Sequence, residues 1–187
     1  MFDKLFSRFK KEEPAADYAS MTIRDLEVGC VFDYDLSTFI VKEAYEYDWG
    51  DNFFSKEYKI SDGQRNLFLS VEEDDEMEIE ISEKVKIRRI LDYLPDHLKE
   101  NGKPPKSIVY KDIRYFFDEE SPGYFRNCND DRESDDSWTE FISWSLYDES
   151  EKQILTLEQW GDDDFEASSG ILIKEFQISN ILPKPSK

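Results

Sequence analysis

Apolar and polar residues alternate along most of the chain from about residue 21 onward. In residues 67–71 and 77–81 every second position is apolar, and residues 39–49 show the same period with aromatic side chains. A period of two with one apolar face is typical of half-buried antiparallel strands. Ser61-Asp62-Gly63 separates two such runs and is typical of a turn. The pattern therefore predicts a mainly β protein, of the β-rich α+β class.

One segment departs from this period and predicts a short helix at residues 90–100. Gly102, Pro104 and Pro105 follow it and interrupt regular structure, so residues 101–106 form a boundary. The chain is thereby divided into a first β repeat with its closing helix at residues 21–100 and a second β repeat at residues 107–182. Residues 183–187 form a tail.

The two halves resemble each other at a fixed offset of 88 residues. Leu67 then aligns with Leu155, Leu69 aligns with Leu157, and the acidic runs after them also coincide. Internal repeats of this kind indicate a duplicated structural unit. We therefore expect two repeated antiparallel β modules packed together, with a short connecting helix. Packing them together buries surface that a module of this size cannot bury alone, and the cleft between them is the natural ligand site.

The first eleven residues differ from the rest of the chain. An apolar stripe at helical spacing predicts an N-terminal amphipathic helix, with basic residues beside the stripe and a linker at residues 12–20. The apolar residues are Phe2, Leu5, Phe6 and Phe9, and the basic ones are Lys4, Arg8, Lys10 and Lys11. The segment carries a charge of +3, which leaves −23 for the remainder of a chain whose net charge is −20. Docking on an anionic membrane or a partner, packing on its own domain, and an unstructured tail are the three interpretations.

Composition and charge restrict the function classes. The chain is 39% hydrophobic and 15% aromatic, which indicates a folded core, and its strong negative charge disfavours nucleic acid. With one histidine, two distant cysteines and no phosphate-binding glycine loop, we expect no enzyme, no cofactor and no metal site. No apolar run suggests a transmembrane helix or a secretion signal, so we expect a cytoplasmic protein, peripheral at the inner face of the membrane if the first helix docks there.

Acidic turns at equivalent positions of the repeat are the remaining candidates for a binding surface. They could be solvated turns that protect sheet edges, a calcium site, or a surface for a basic partner. Together with an exposed indole they could also hold an organic cation such as a polyamine by cation–π contacts. The candidate residues are Trp160, Asp162, Asp163, Asp164, Glu72, Glu73, Asp74 and Asp75, with Trp160 expected to be exposed.

A series of weak motifs points to a known family. The motifs are residues 26–35, 39–41, 57–60, 62–63 and 67–74 in the first half, and residues 138–141, 157–162, 165–166 and 170 in the second. The order of these motifs along the chain resembles that of the bacterial domain of unknown function family 4178, over roughly residues 21–182. The resemblance implies a β-rich cytoplasmic bacterial protein and no catalytic residues. It also implies a genomic neighbourhood of phage-shock-type membrane-stress proteins and polyamine-synthesis enzymes.

Three functional hypotheses follow from the residues. The first is a non-enzymatic adaptor that docks on a membrane surface or a protein partner through residues 2–11. The second is an acidic decoy, similar to an immunity protein, that occupies a basic groove of its partner. The third is a module that senses a cation or polyamine in an acidic and aromatic cleft.

The docking hypothesis predicts how the chain behaves with lipid vesicles. Full-length protein should co-sediment with anionic liposomes at low salt, whereas a variant lacking residues 1–11 should stay in the supernatant because its body is strongly negative. Liposome co-sedimentation at low and physiological salt measures this. Equal behaviour of the two proteins would contradict membrane docking by this segment.

Overall fold

The computed structural model describes residues 21–129 and 138–184. Most of this part of the chain is strand, which confirms the predicted mainly β fold class. The strands are β1 (Val31–Tyr34), β2 (Ser37–Asp48), β3 (Phe54–Ser61), β4 (Asn66–Glu73), β5 (Met77–Val85), β6 (Ser107–Tyr110), β7 (Ile113–Asn127), β8 (Thr139–Asp148), β9 (Gln153–Gln159), β10 (Phe165–Ile173) and β11 (Ser179–Leu182). The helices are α1 (Ile87–Ile90) and α2 (Leu94–Asn101), and short 3₁₀ turns precede β1 and β11.

Of the two predicted helical segments, the structure describes only the connecting one. The N-terminal amphipathic helix at residues 1–11 and the linker after it lie outside the described residues. The single connecting helix predicted at residues 90–100 is instead two short helices, α1 and α2, because the extended backbone of Leu91 ends α1. Gly102 ends α2 in the left-handed conformation, with φ of 67°. Within the described residues, no helix is long and apolar enough to cross a membrane.

The strands form two antiparallel meanders, β2–β5 and β7–β10, each preceded by a short hairpin partner. Adding 88 to the first and last residue numbers of β5 gives the first and last residue numbers of β10. The hairpins β1–β2 and β6–β7 both turn through two residues with positive φ, Asp35-Leu36 and Lys111-Asp112. Such turns match the twist of the flanking strands. The strand bounds therefore agree with the predicted repeat.

Two seams join the meanders into one closed sheet. β5 pairs with β10 from Val85–Ala167 to Ile79–Ile173. On the other side, the end of β2 pairs with the end of β7 from Tyr45–Asn127 to Asp48–Tyr124. The ring of eight strands runs β2-β3-β4-β5-β10-β9-β8-β7, while β1 and β11 extend from β2 and β6 extends from β7. The two modules share this ring and are not separate domains.

Each module packs one face of its strands on its own apolar core. Leu69 on β4 belongs to the first core, which also includes residues of β1, β11 and the 3₁₀ turn before β1. Leu157 on β9 belongs to the second core, which also includes residues of α1, α2 and β6. Because successive side chains of a strand point to opposite faces, the other face of each meander is turned into the ring.

The inward faces are polar. On β3, Ser55 and Glu57 alternate with Tyr58 and Ile60, which lie in the first core. The same alternation on the other strands places a set of serines, threonines and glutamates inside the ring. They are Ser70, Glu80, Ser82, Ser143, Ser145, Thr156, Glu158 and Ser168. The apolar cores therefore lie outside the ring, and a polar space lies within it.

The two seams predict cooperative unfolding of both modules. Leu69→Ala and Leu157→Ala each empty a site that is 0% exposed, in different cores, and should lower the free energy of unfolding by about 2–5 kcal/mol. Because the modules share one ring, each variant should show a single transition, identical by tryptophan fluorescence and far-UV circular dichroism. Leu36→Ala, at an exposed hairpin turn, is the control and should change little. A first transition confined to the mutated module would contradict the shared ring.

Candidate functional site

The ring encloses a cavity of about 410 Å³ between the two modules. This volume lies within the range of small-molecule binding sites in proteins. Its walls carry hydroxyl groups, carboxylates and aromatic side chains from both meanders. The carboxylates are Glu57, Glu72, Glu78, Glu80, Glu119, Glu120 and Glu158, and the aromatic residues are Tyr47, Trp49, Phe53 and Tyr147. The cavity occupies the place where the sequence predicted a cleft.

Glu57 lies on the inner wall and is held by two hydroxyl groups. The Tyr47 hydroxyl donates a hydrogen bond to its Oε1 at 3.0 Å, and the Ser70 hydroxyl donates one to its Oε2 at 3.2 Å. Ser70 is the direct neighbour of Glu57 across β3 and β4, and Glu80 is the next residue along the same row on β5. Strand register thus places Glu57 and Glu80 at one level of the cavity wall.

The Glu80 carboxylate occupies space that a glycine leaves open. Gly170, on the neighbouring strand β10, is buried, and a Cβ atom at this position would collide with Glu80 Oε1. A residue larger than glycine would therefore force the Glu80 side chain to another rotamer. The absence of a side chain at residue 170 positions this carboxylate in the cavity.

Glu158 is the most buried of the wall carboxylates, with an exposure of 7%. Lys84 Nζ lies 3.0 Å from Glu158 Oε2 and 3.0 Å from Glu166 Oε2. Lys84 belongs to the first module and both glutamates belong to the second, so this ion pair crosses the β5–β10 seam. The ammonium group of Lys84, 33% exposed, thus compensates the charge of the buried Glu158 carboxylate.

Three further glutamates form the rim of the cavity, namely Glu72, Glu78 and Glu119. Glu72 on β4 lies directly opposite Glu78 on β5, and the negative charge of Glu119 also acts on Glu72. Among the described residues, no lysine or arginine nitrogen lies within 4.0 Å of the carboxylates of Glu57, Glu80 or the rim. The cavity therefore carries several carboxylates for which this part of the chain supplies no contacting cation.

Burial changes the protonation of the wall carboxylates. Removal from water raises the pKa of Glu57 from its ordinary value of 4.5 to about 7, although the nearby Lys84 charge lowers it. The same removal from water, together with the charges of Glu57 and Glu78, raises the pKa of Glu80 to about 8. Burial also raises the pKa of Glu72 and Glu78 at the rim. Like charges in a confined space thus hold protons near neutral pH.

Aromatic side chains pack at the side of the cavity where β2 meets β7. Tyr47 and Trp49 stack with ring centroids 5.6 Å apart, and Phe141 contacts both. Trp160 stacks on Phe141 at 4.6 Å. The expected exposure of Trp160 is therefore wrong in part: its indole is half-buried because it completes this aromatic cluster.

The predicted acidic residues occupy three different environments. Glu72 lines the cavity, whereas Asp163 and Asp164 line a separate surface groove of about 510 Å³. Asp163 forms an ion pair with Lys99, and Glu73 forms one with Arg24 at 2.7 Å. The others, Asp74, Asp75 and Asp162, are exposed in the β4–β5 and β9–β10 turns. The predicted docking residues between Phe2 and Lys11 lie outside the described residues.

Sequence reasoning missed the inner carboxylates Glu57, Glu80 and Glu158 because the polar face of a half-buried strand normally faces solvent. A signal was nevertheless present. At the offset of 88 residues, Glu57 aligns with Ser145, Ser70 with Glu158, and Glu80 with Ser168. Both modules therefore keep serine or glutamate at these positions, whereas an ordinary solvent face mixes both signs of charge.

The carboxylates are spread over the walls of the cavity. Within residues 21–129 and 138–184, no three histidine, cysteine, aspartate or glutamate side chains converge in a way that could hold a metal ion. The arrangement instead suits several hydrogen-bond donors of one extended cationic molecule, because each carboxylate and hydroxyl oxygen accepts hydrogen bonds.

Comparison with known proteins agrees with the resemblance found in the sequence. The family model described as "Domain of unknown function (DUF4178)" matches residues 27–175. A relative from Aquifex aeolicus (strain VF5), named as an uncharacterized protein, is 28% identical over 182 residues, which cover 97% of this chain and 96% of the relative. No solved structure matches the chain. These findings confirm the predicted family over most of the chain.

The raised pKa of Glu80 predicts a pH-dependent effect of Glu80→Gln. Between pH 4.5 and about 8 the folded chain keeps a proton that the unfolded chain has released, so the free energy of unfolding falls as pH rises through this window. Glutamine mimics the protonated form. Glu80→Gln should thus change stability little at pH 5 and raise it by at least about 1 kcal/mol at pH 9, since one pKa unit corresponds to about 1.4 kcal/mol.

Denaturant unfolding at pH 5, 7 and 9 measures this effect. Glu83→Gln is the matched control, because Glu83 lies on the same strand but is exposed and pairs with Lys111. Its effect should not grow between pH 7 and pH 9. A Glu80→Gln effect independent of pH would contradict the account of a buried, protonated carboxyl group.

Proposed function

The chain belongs to the DUF4178 family of domains of unknown function, and we propose from its cavity that it binds a small linear organic cation of the polyamine class. The observation that carries this proposal is the polar cavity between the modules, whose walls hold several carboxylates that no lysine or arginine among the described residues contacts. Binding, and not catalysis, is the activity that this arrangement supports.

The charge of the cavity supports a cationic ligand. Carboxylates removed from water are costly unless a positive charge or hydrogen-bond donors compensate them. A protonated amine supplies both, because each ammonium group carries one positive charge and three hydrogen-bond donors. Glu57 and Glu80 would release their protons as the ammonium groups bind. This exchange couples ligand affinity to pH, so binding strengthens as pH rises while the amines remain protonated.

The shape of the charge distribution supports an extended ligand with more than one amine. Glu78 and Glu80 are two positions apart on β5, which corresponds to about 6.8 Å along a strand. This is close to the separation of the two nitrogens in an extended four-carbon diamine. Serine and threonine hydroxyls between the carboxylates accept the remaining donors of the ammonium groups. A compact metal ion would leave most of these groups without a partner.

The aromatic side of the cavity supplies a complementary surface for the alkyl part of such a ligand. Tyr47 and Trp49 line the cavity, stack on each other, and contact Phe141 with angles of 62° and 59° between the ring planes. Aromatic faces also attract ammonium groups by cation–π interaction. The combination of carboxylates, hydroxyls and aromatic rings is thus suited to a molecule that alternates charged and apolar groups.

The other two functional hypotheses receive no comparable support. Adaptor docking through residues 2–11 concerns a segment outside the described residues and stays a prediction. For an acidic decoy, Glu73 and Asp163 pair with Arg24 and Lys99, whereas Asp74, Asp75 and Asp162 are exposed in the turns. Binding of a basic protein through the exposed acidic turns stays a prediction as well.

Calorimetric titration with putrescine at pH 8 tests the proposed function. Wild-type protein should bind the diamine, and Glu80→Gln should weaken binding by about tenfold or more, which corresponds to about 1.4 kcal/mol. Gly170→Ala should weaken it as well, because its methyl group displaces the Glu80 carboxylate without removing any charge. The fluorescence of Trp49 in the cavity wall offers a second readout.

Asp75→Asn is the control, since it removes the same charge from an exposed turn outside the cavity. Its affinity should stay within about twofold of wild type, which corresponds to about 0.4 kcal/mol. The absence of binding at millimolar putrescine and spermidine would refute the proposal. Equal losses for Glu80→Gln and Asp75→Asn would assign the binding to general surface charge.

A further inference from the structure

Lys84 lies where one end of the cavity adjoins the surface groove, and its side chain, which lines the groove, is 33% exposed. It lies two positions after Ser82 on β5 and pairs with Ser168 on β10, and both of these serines line the cavity. Its side chain therefore starts on the inner face of the ring. Its Nζ lies 5.5 Å from the centre of the Phe68 ring, the neighbouring inward position on β4.

The ammonium group of Lys84 lies between two spaces. On one side it contacts Glu158, which lines the cavity, and on the other it contacts Glu166, which lines the surface groove together with Lys84 itself. Both distances are 3.0 Å. The charge of Glu57 also acts on Lys84 and helps to raise its pKa. Lys84 is therefore protonated, and it is held in place by carboxylates that an external ammonium group would otherwise contact.

We infer that Lys84 fills one ammonium position of the cavity and thereby sets the length and charge of the cation that binds there. The inference rests on the proposed function and adds a residue that determines specificity. The carboxylates without a contacting cation, at Glu80 and the rim, remain for the ligand. A diamine can use these carboxylates, whereas the additional ammonium groups of a longer polyamine would approach the ammonium of Lys84.

The physical basis is charge repulsion in a confined space. Two like charges at short distance repel more strongly inside a protein than in bulk water, because the effective dielectric constant is lower. Affinity for polyamines in an acidic site normally rises with the number of ammonium groups. Lys84 removes part of that gain, since Glu158 is already neutralised. The specificity of the cavity thus depends on a repulsive element as well as on attractive ones.

Titration of putrescine and spermine into wild type and Lys84→Met tests the inference. Lys84→Met should strengthen spermine binding by about tenfold or more and putrescine binding by less than about threefold, where each tenfold step corresponds to about 1.4 kcal/mol. The double variant Lys84→Met/Glu158→Gln should lose most of the spermine gain, because it removes the carboxylate that the additional ammonium group uses. Lys84→Gln, whose amide group can still donate a hydrogen bond to Glu158, replaces Lys84→Met if the methionine variant does not fold.

Lys111→Met is the matched control. Lys111 is exposed and pairs with Glu83, so this variant removes the same charge as Lys84→Met. Glu83 precedes Lys84 on β5, and its side chain therefore points to the opposite face of the strand. This variant should leave the ratio of spermine to putrescine affinity unchanged. Circular dichroism on each variant establishes that it is folded.

The outcomes separate the two claims. Absence of putrescine binding by wild type refutes the proposed function, whatever the variants do. Binding by wild type with an unchanged affinity ratio in folded Lys84→Met, or in folded Lys84→Gln if the methionine variant is unfolded, overturns the role of Lys84 and leaves the proposed function intact. A selective gain for spermine that depends on Glu158 supports both.

Discussion

The pairing of the two modules at both seams is the constraint on which the rest of the structure depends. β5 pairs with β10, and the end of β2 pairs with the end of β7. Because these two pairings close the ring, the inward faces of the strands surround an internal space. The apolar cores are then located outside the ring, under β1, β11 and the two helices. The polar faces, which would meet solvent in a single module, surround a cavity. Duplication thereby converts an ordinary polar sheet surface into an internal site.

The sequence predicted the fold better than the site, for a physical reason. Alternation at residues 67–71 and 77–81 and the turn at Asp62-Gly63 identify strands locally, and the structure has strands β4 and β5 there. The offset that aligns Leu69 with Leu157 also identifies two similar modules. Which way the polar face points depends on long-range pairing, which local periodicity does not contain. Periodicity therefore assigns Glu57 and Glu80 to the polar face of their strands without showing that this face is enclosed.

Three features of the cavity affect its carboxylates: their raised pKa values, the space left by Gly170, and the positive charge of Lys84. Partial removal from water raises the pKa values of Glu57 and Glu80, and Gly170 leaves room for the Glu80 side chain. Lys84 neutralises Glu158 and leaves the carboxylates at the rim without a contacting cation among the described residues. Lys84 thus compensates only part of the negative charge of the cavity, and the remaining negative charge is available to an incoming ammonium group. This partial compensation links the buried charges of the fold to the proposed binding of an organic cation.

The most direct measurement is the titration of the glutamate side-chain carboxyl carbons by NMR, without and with putrescine. The account predicts that Glu57 and Glu80 titrate with pKa values of about 7 and about 8 in the free protein. Both pKa values should fall when the diamine binds, because its ammonium groups favour the ionised carboxylates. Titration of every glutamate near the ordinary value of 4.5, with no response to putrescine, would contradict the account.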